Sequence, residues 1–141
     1  MTTAEQIELG KLFFEEGLPG FQQLQFFQLL QVDPDAPFLL LQALENEEVQ
    51  FYVMNPFTYF KDYEFTLPDQ VKIGLKLNGE SPAVSVLSIL SVHPDGQITA
   101  NMKAPIVVNQ ENRMAKQVIL HDETYSIRQP LFQVSTKVAG E

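Results

Sequence analysis

Two short apolar runs rich in β-branched residues, Pro105–Val108 (PIVV) and Gln117–Leu120 (QVIL), flank the polar segment Asn109–Lys116. That pattern predicts a β-hairpin with a loop of several residues. Proline has no backbone N–H, so Pro105 must open its strand or lie on a sheet edge rather than sit within a ladder. An edge beside an exposable Ile106 would offer unpaired backbone groups and apolar surface to another protein. On these grounds Asn101, Ala104, Pro105, Ile106, Val107 and Asn109 are the candidate partner-binding residues, with core packing as the alternative.

The rest of the chain also consists of short apolar runs between turn signals. Lys11–Phe14 reads as a strand ended by Glu15-Glu16-Gly17, and Leu18-Pro19-Gly20-Phe21 as a turn that folds Phe21 back onto the core. Leu24–Val32 contains glutamines at three-residue spacing (Gln22, Gln25, Gln28, Gln31), which suits an amphipathic helix as well as a strand. Asp33-Pro34-Asp35 begins like a calcium loop but lacks the later glycine and closing glutamate, and reads as a turn. Phe38–Leu44 reads as a buried strand, Glu45-Asn46-Glu47-Glu48 as an acidic hairpin tip, and Val49–Met54 as the returning strand, stopped by Asn55-Pro56. The aromatic cluster Phe57–Phe65 suits a core lid or a recognition surface. Ala83–Val92 is the most hydrophobic run and reads as the central strand, with Ser85, Ser88 and Ser91 as small packing residues. His93-Pro94-Asp95-Gly96 then turns it antiparallel into Ile98–Met102. Roughly seven or eight such strands without alternating helices predict an all-β fold, an antiparallel barrel or sandwich with at most one short helix.

At 141 residues the chain is read as one domain over 1–141, large enough to bury a core without cross-links. It has no cysteine, which removes disulfides and cysteine-based catalysis or metal ligation. No apolar run approaches the ~20 residues that span a bilayer, and Glu5 and Glu8 stand where a basic leader would be. A cytoplasmic protein is expected. Residues 1–64 hold eleven acids and two bases, and residues 65–141 hold seven of each, so the net charge of −9 falls entirely in the first half. Such a balance repels phosphate backbones and attracts basic proteins, which argues against direct nucleic-acid binding. Catalytic material is sparse. His93 and His121 have acidic neighbours but no third ligand at zinc spacing, no G-x-S-x-G elbow exists, and two arginines give little support to a phosphate cradle. No catalytic, metal or cofactor residue is therefore assigned. A flavin-binding split barrel is the enzyme-class rival, and the scarcity of basic residues counts against it.

The blocks T-A-N-x-x-A-P-I-V-V-N (Thr99–Asn109) and Q-V-I-L-H-D-x-x-Y-x-x-R-x-P-L (Gln117–Leu131) closely resemble the carboxy-terminal half of the flagellar assembly factor FliW family. Gly17–Phe21 resembles that family's E-G-L-P-G-F segment, Leu41–Leu44 its L-Q-S/A-L strand, and Val53–Phe57 its V-x-N/D-P-F. The blocks stand in the family's order across residues 13–131, a combination far more specific than any one of them. The resemblance implies a non-enzymatic bacterial regulator, monomeric when free, that binds the RNA-binding protein CsrA and relieves its repression of flagellin mRNA. Unassembled flagellin would in turn sequester it. With such a regulator docked nearby, Glu45, Glu47 and Glu48 would repel its RNA. The resemblance also implies a strand at Leu24–Val32 and a short helix within Leu67–Leu77; the family's first strand is usually longer than Lys11–Phe14, and this chain reads as abbreviated there. This chain departs from the family's compact end, so 132–141 is expected to fray.

Overall fold

The computed structural model describes residues 7–77 and 83–133. Its strands are β1 (Ile7–Phe14), β2 (Phe26–Gln31), β3 (Phe38–Ala43), β4 (Gln50–Met54), β5 (Val84–Val92), β6 (Gln97–Ala100), β7 (Ile106–Asn109), β8 (Met114–Gln117) and β9 (Gln129–Gln133). Among the described residues between β4 and β5 lie a single 3₁₀ turn, Pro56–Thr58, and one short helix, α1 (Asp69–Gly74). The order β4-β3-β2-β1-β8-β7-β5, closed by a β4–β5 pairing, makes a seven-stranded barrel. β6 and β9 extend the sheet beyond it, paired through the far end of β5.

One strand pairing departs from the antiparallel expectation: β1 and β8 run parallel, Phe13 opposite Met114 and Phe14 opposite Ala115. Alternate residues of the seven strands fill the barrel, among them Leu12, Phe14, Phe27, Leu41, Val53, Ile106 and Ala115. Phe14 and Phe27, with 0% exposure, meet edge to face at 5.1 Å. Burying each contributes about 1.5–3 kcal/mol. A second core forms outside the barrel wall, where Val71 of α1 and Leu75 just past its end pack with Met54, Tyr63, Met102, Val107, Val118 and Leu120. β7 lies between the two cores and is buried on both faces, which is why its sequence is continuously apolar.

Several expectations are corrected. β7 does open directly after Pro105, but it is not an edge, because β5 and β8 flank it. β8 starts at Met114, three residues before the predicted Gln117, because the turn closes quickly. The Asn109 and Asn112 side chains accept from the N–H groups of Glu111 and Met114 at 2.9 Å each, and Arg113 takes φ 66°. β1 begins at Ile7, well before Lys11, and passes through a register shift between Glu8 and Gly10. Leu24–Val32 contains a strand, β2, as the resemblance implied. β9 runs to Gln133, two residues into the tail expected to fray, and the remainder of that tail lies outside the described residues. The aromatic segment serves both readings: Tyr63 is buried at the centre of ring contacts with Phe57, Phe65 and Tyr125, whereas Phe57 and Tyr59 are exposed. Among the described residues no helix is long and apolar enough to cross a membrane.

A candidate docking groove

Past the end of β8 at Gln117 the backbone keeps bonding to the segment that leads into β7, and its hydrogen bonds alternate in direction. On the β7 side the Val118 N–H donates to the Pro105 carbonyl at 2.8 Å and the Leu120 N–H to Lys103 at 2.7 Å. Gln117 and Ile119 therefore turn their backbone groups the other way, toward the side on which β1 pairs only with Met114 and Ala115. β1 leaves that side because Gly17 bends the chain, its N–H bonded to the Phe14 carbonyl at 3.0 Å and its φ at 67°. A Cβ on Gly17 would lie 2.6 Å from the backbone of Gln22, so only glycine fits. Among the described residues, nothing on the vacated side bonds to the backbone of Gln117 or Ile119.

The vacated side is a groove of about 640 Å³ between β8, α1 and the Gly17–Gln22 turn. Its α1 wall is fixed from below. The Asn109 amide donates to the Leu75 carbonyl at 2.8 Å and to Lys76 at 3.3 Å, and Asn112 donates to Leu75 at 3.1 Å. These bonds satisfy carbonyls that the end of a helix leaves open. Gly74 faces the groove with nothing within 4 Å of where a Cβ would stand. Ile119 on the strand side is 61% exposed. The charged lining is Glu15, Glu16 and Lys116; Lys116 pairs with Glu16, and among the described residues Glu15 has no partner for its carboxylate.

The candidate partner-binding residues gather beneath this surface. Ala104, Pro105, Ile106, Val107 and Asn109 are buried, so the expected exposure of Ile106 is corrected: it is 0% exposed and faces the barrel core. Asn101 is half-buried and folds the turn before Pro105, its side chain accepting from the N–H groups of Lys103 and Ala104 at 3.1 and 3.0 Å. Ile119, Gly74 and Glu15 escaped the sequence reading. Their signal is the mismatch between Glu15-Glu16-Gly17, which ends β1, and the apolar run that continues to Leu120, and it has meaning only once β1 and β8 are known to pair.

Glu45, Glu47 and Glu48 stand exposed on the turn between β3 and β4. Glu45 is also structural, since its carboxylate accepts from the N–H groups of Gln25 and Phe26 at 3.3 and 3.2 Å. The Gln25 amide reaches the Glu15 carbonyl at 2.8 Å, so the acidic tip and the groove rim share a neighbour. Elsewhere, His93 meets the Thr99 hydroxyl at 2.9 Å and Ser88 donates to the sulfur of Met102 at 3.6 Å. The Asp122 carboxyl is held below its ordinary range by hydrogen bonds from the side chain and backbone of Thr124.

A family model described as FliW protein matches residues 1–131. The flagellar assembly factor FliW of Bacillus licheniformis is 43% identical over 121 residues, covering 85% of this chain and 84% of its own length. Its counterpart in Bacillus subtilis strain 168 is 40% identical over 121 residues, with the same coverage of 85% and 84%. A crystal structure of the flagellar assembly factor FliW matches with a TM-score of 0.80 at 40% identity, covering 89% of this chain and 90% of that one.

Proposed function

This chain belongs to the FliW family of flagellar assembly factors, and from that premise we propose that it is a cytoplasmic, protein-binding regulator that alternates between two partners. Free, it binds a CsrA-type translational regulator and lifts repression of flagellin mRNA; unassembled flagellin then takes it away. The observation that carries this reading is the family match, which runs through the barrel and α1 and ends within β9. The acidic first half supports a basic partner rather than RNA itself. The Asn101–Asn109 segment serves the partner surface indirectly, through Asn109, which holds α1 against the groove. Glu45, Glu47 and Glu48 then place negative charge beside the docked regulator and repel its RNA.

The alternation requires that the two partners overlap or are coupled on this barrel, each taking about 800 Å² in a standard interface. Adding flagellin to a preformed complex with CsrA should release CsrA on size exclusion. A stable ternary complex overturns the alternation, and failure of the chain to bind either protein overturns the reading as a whole.

A further inference from the structure

We propose that the groove receives an extended segment of a partner protein, added as a strand alongside Gln117, the last residue of β8, and Ile119 just beyond it, with a basic side chain of that segment meeting Glu15. This rests on the regulator reading and names how one of its two partners is held. Three observations fix the chemistry of the occupant. The backbone groups of Gln117 and Ile119 point into the groove with no partner among the described residues. Groups two residues apart on a strand lie about 6.6–6.8 Å from each other. An extended chain repeats at that interval, whereas a helix uses its own backbone groups internally and cannot answer them. The second observation is apolar surface on either side of that edge. Ile119 is 61% exposed and Gly74 leaves open space on α1, so an alternating segment finds room for an apolar side chain over the helix. The third is charge. With Lys116 taken by Glu16, the lining keeps the negative charge of Glu15. A basic residue in the segment is thereby favoured and an acidic one opposed.

The test measures binding of purified flagellin and of purified CsrA to the full chain and two variants. Ile119→Pro deletes a donor that nothing among the described residues uses, a position where an edge strand tolerates proline. Gly74→Trp fills the groove from α1 without displacing a described atom near its Cβ. Both variants should bind one of the two partners about tenfold or more weakly, with the melting temperature close to that of the parent. Hydrogen exchange at the Gln117 and Ile119 amides should slow when that partner binds. If Ile119→Pro fails to fold, Gly74→Trp and the exchange measurement decide. Undiminished binding of both partners to the folded variants, or unchanged exchange at these amides, overturns the inference and leaves the regulator reading standing. Failure of the parent chain to bind either partner overturns both. Protection already present in the free protein overturns the inference too: if lost on deleting residues 134–141 it assigns the groove to this chain's own end, and if lost on dilution, to a second copy.

Discussion

Gly10 lies where β1 shifts register, with φ 121°, and the Arg113 guanidinium lies across it. Arg113 donates from Nε to the Lys11 carbonyl at 3.2 Å and from a terminal nitrogen to Leu9 at 3.3 Å, clamping β1 beside the start of β8. A Cβ on Gly10 would stand 2.5 Å from that nitrogen. Gly10→Ala thus displaces the arginine and forces a left-handed backbone on alanine. A loss of about 1–3 kcal/mol is expected in urea unfolding. Tyr63 carries a different constraint. Its hydroxyl donates to the Met102 carbonyl at 2.6 Å, and burial, reinforced by Tyr125, pushes its pKa well above the ordinary 10.0. A group whose folded pKa is raised stabilises fully below its unfolded pKa and loses that contribution as pH rises through the folded value. The melting temperature should therefore fall above about pH 10. Tyr63→Phe should cost about 1–2 kcal/mol at neutral pH and flatten that alkaline decline, as thermal melts across pH would show.

Among the elements, β7 carries the end of the T-A-N-x-x-A-P-I-V-V-N block, whose Asn109 bonds to the carbonyls at the end of α1. Ile106→Lys puts a charge at a position with 0% exposure, and unfolding is the expected outcome by circular dichroism, in place of a folded protein that has only lost its partner. Asn109→Ala removes the amide bonded to Leu75 and Lys76. A helix of six residues cannot hold itself, so amide exchange should quicken across residues 69–77 while the barrel strands stay protected. Much of this architecture is legible locally: the Phe38–Met54 hairpin, the central run after Ala83 and the His93–Gly96 turn each declare themselves through alternation or turn chemistry. Pro105 shows where legibility stops. Its missing N–H marks the strand start correctly, yet its carbonyl still accepts from Val118, so the ladder continues past it. Which strands flank β7 depends on pairings to distant residues, and these leave no local mark. The groove was hidden for the same reason, since it exists only where β1 parts from β8.

The barrel as a whole joins an acidic amino-terminal meander, β1–β4, to carboxy-terminal strands in a sequence half of zero net charge. Glu47→Lys with Glu48→Lys is the cleaner probe of the proposed RNA repulsion, because Glu45 also bonds the backbone of Gln25 and Phe26. The double variant should bind CsrA nearly as well as the parent but release RNA less effectively in a competition assay. The difference should fade as salt shortens the Debye length from about 10 Å at 0.1 M to about 3 Å at 1 M. The two halves of the barrel meet at brief seams, Val53 opposite Ile89 and Met54 opposite Ser88 at one, Phe13 opposite Met114 and Phe14 opposite Ala115 at the other. During synthesis the meander β1–β4 leaves the ribosome first and needs only short-range contacts to form. Its inner face, with Leu12, Phe27 and Leu41, nevertheless stays incompletely covered until β5, β7 and β8 have all emerged, with Leu87, Ile106, Val108 and Ala115. The nascent chain is most prone to aggregation in that interval, and the two-residue parallel seam is the clasp that ends it.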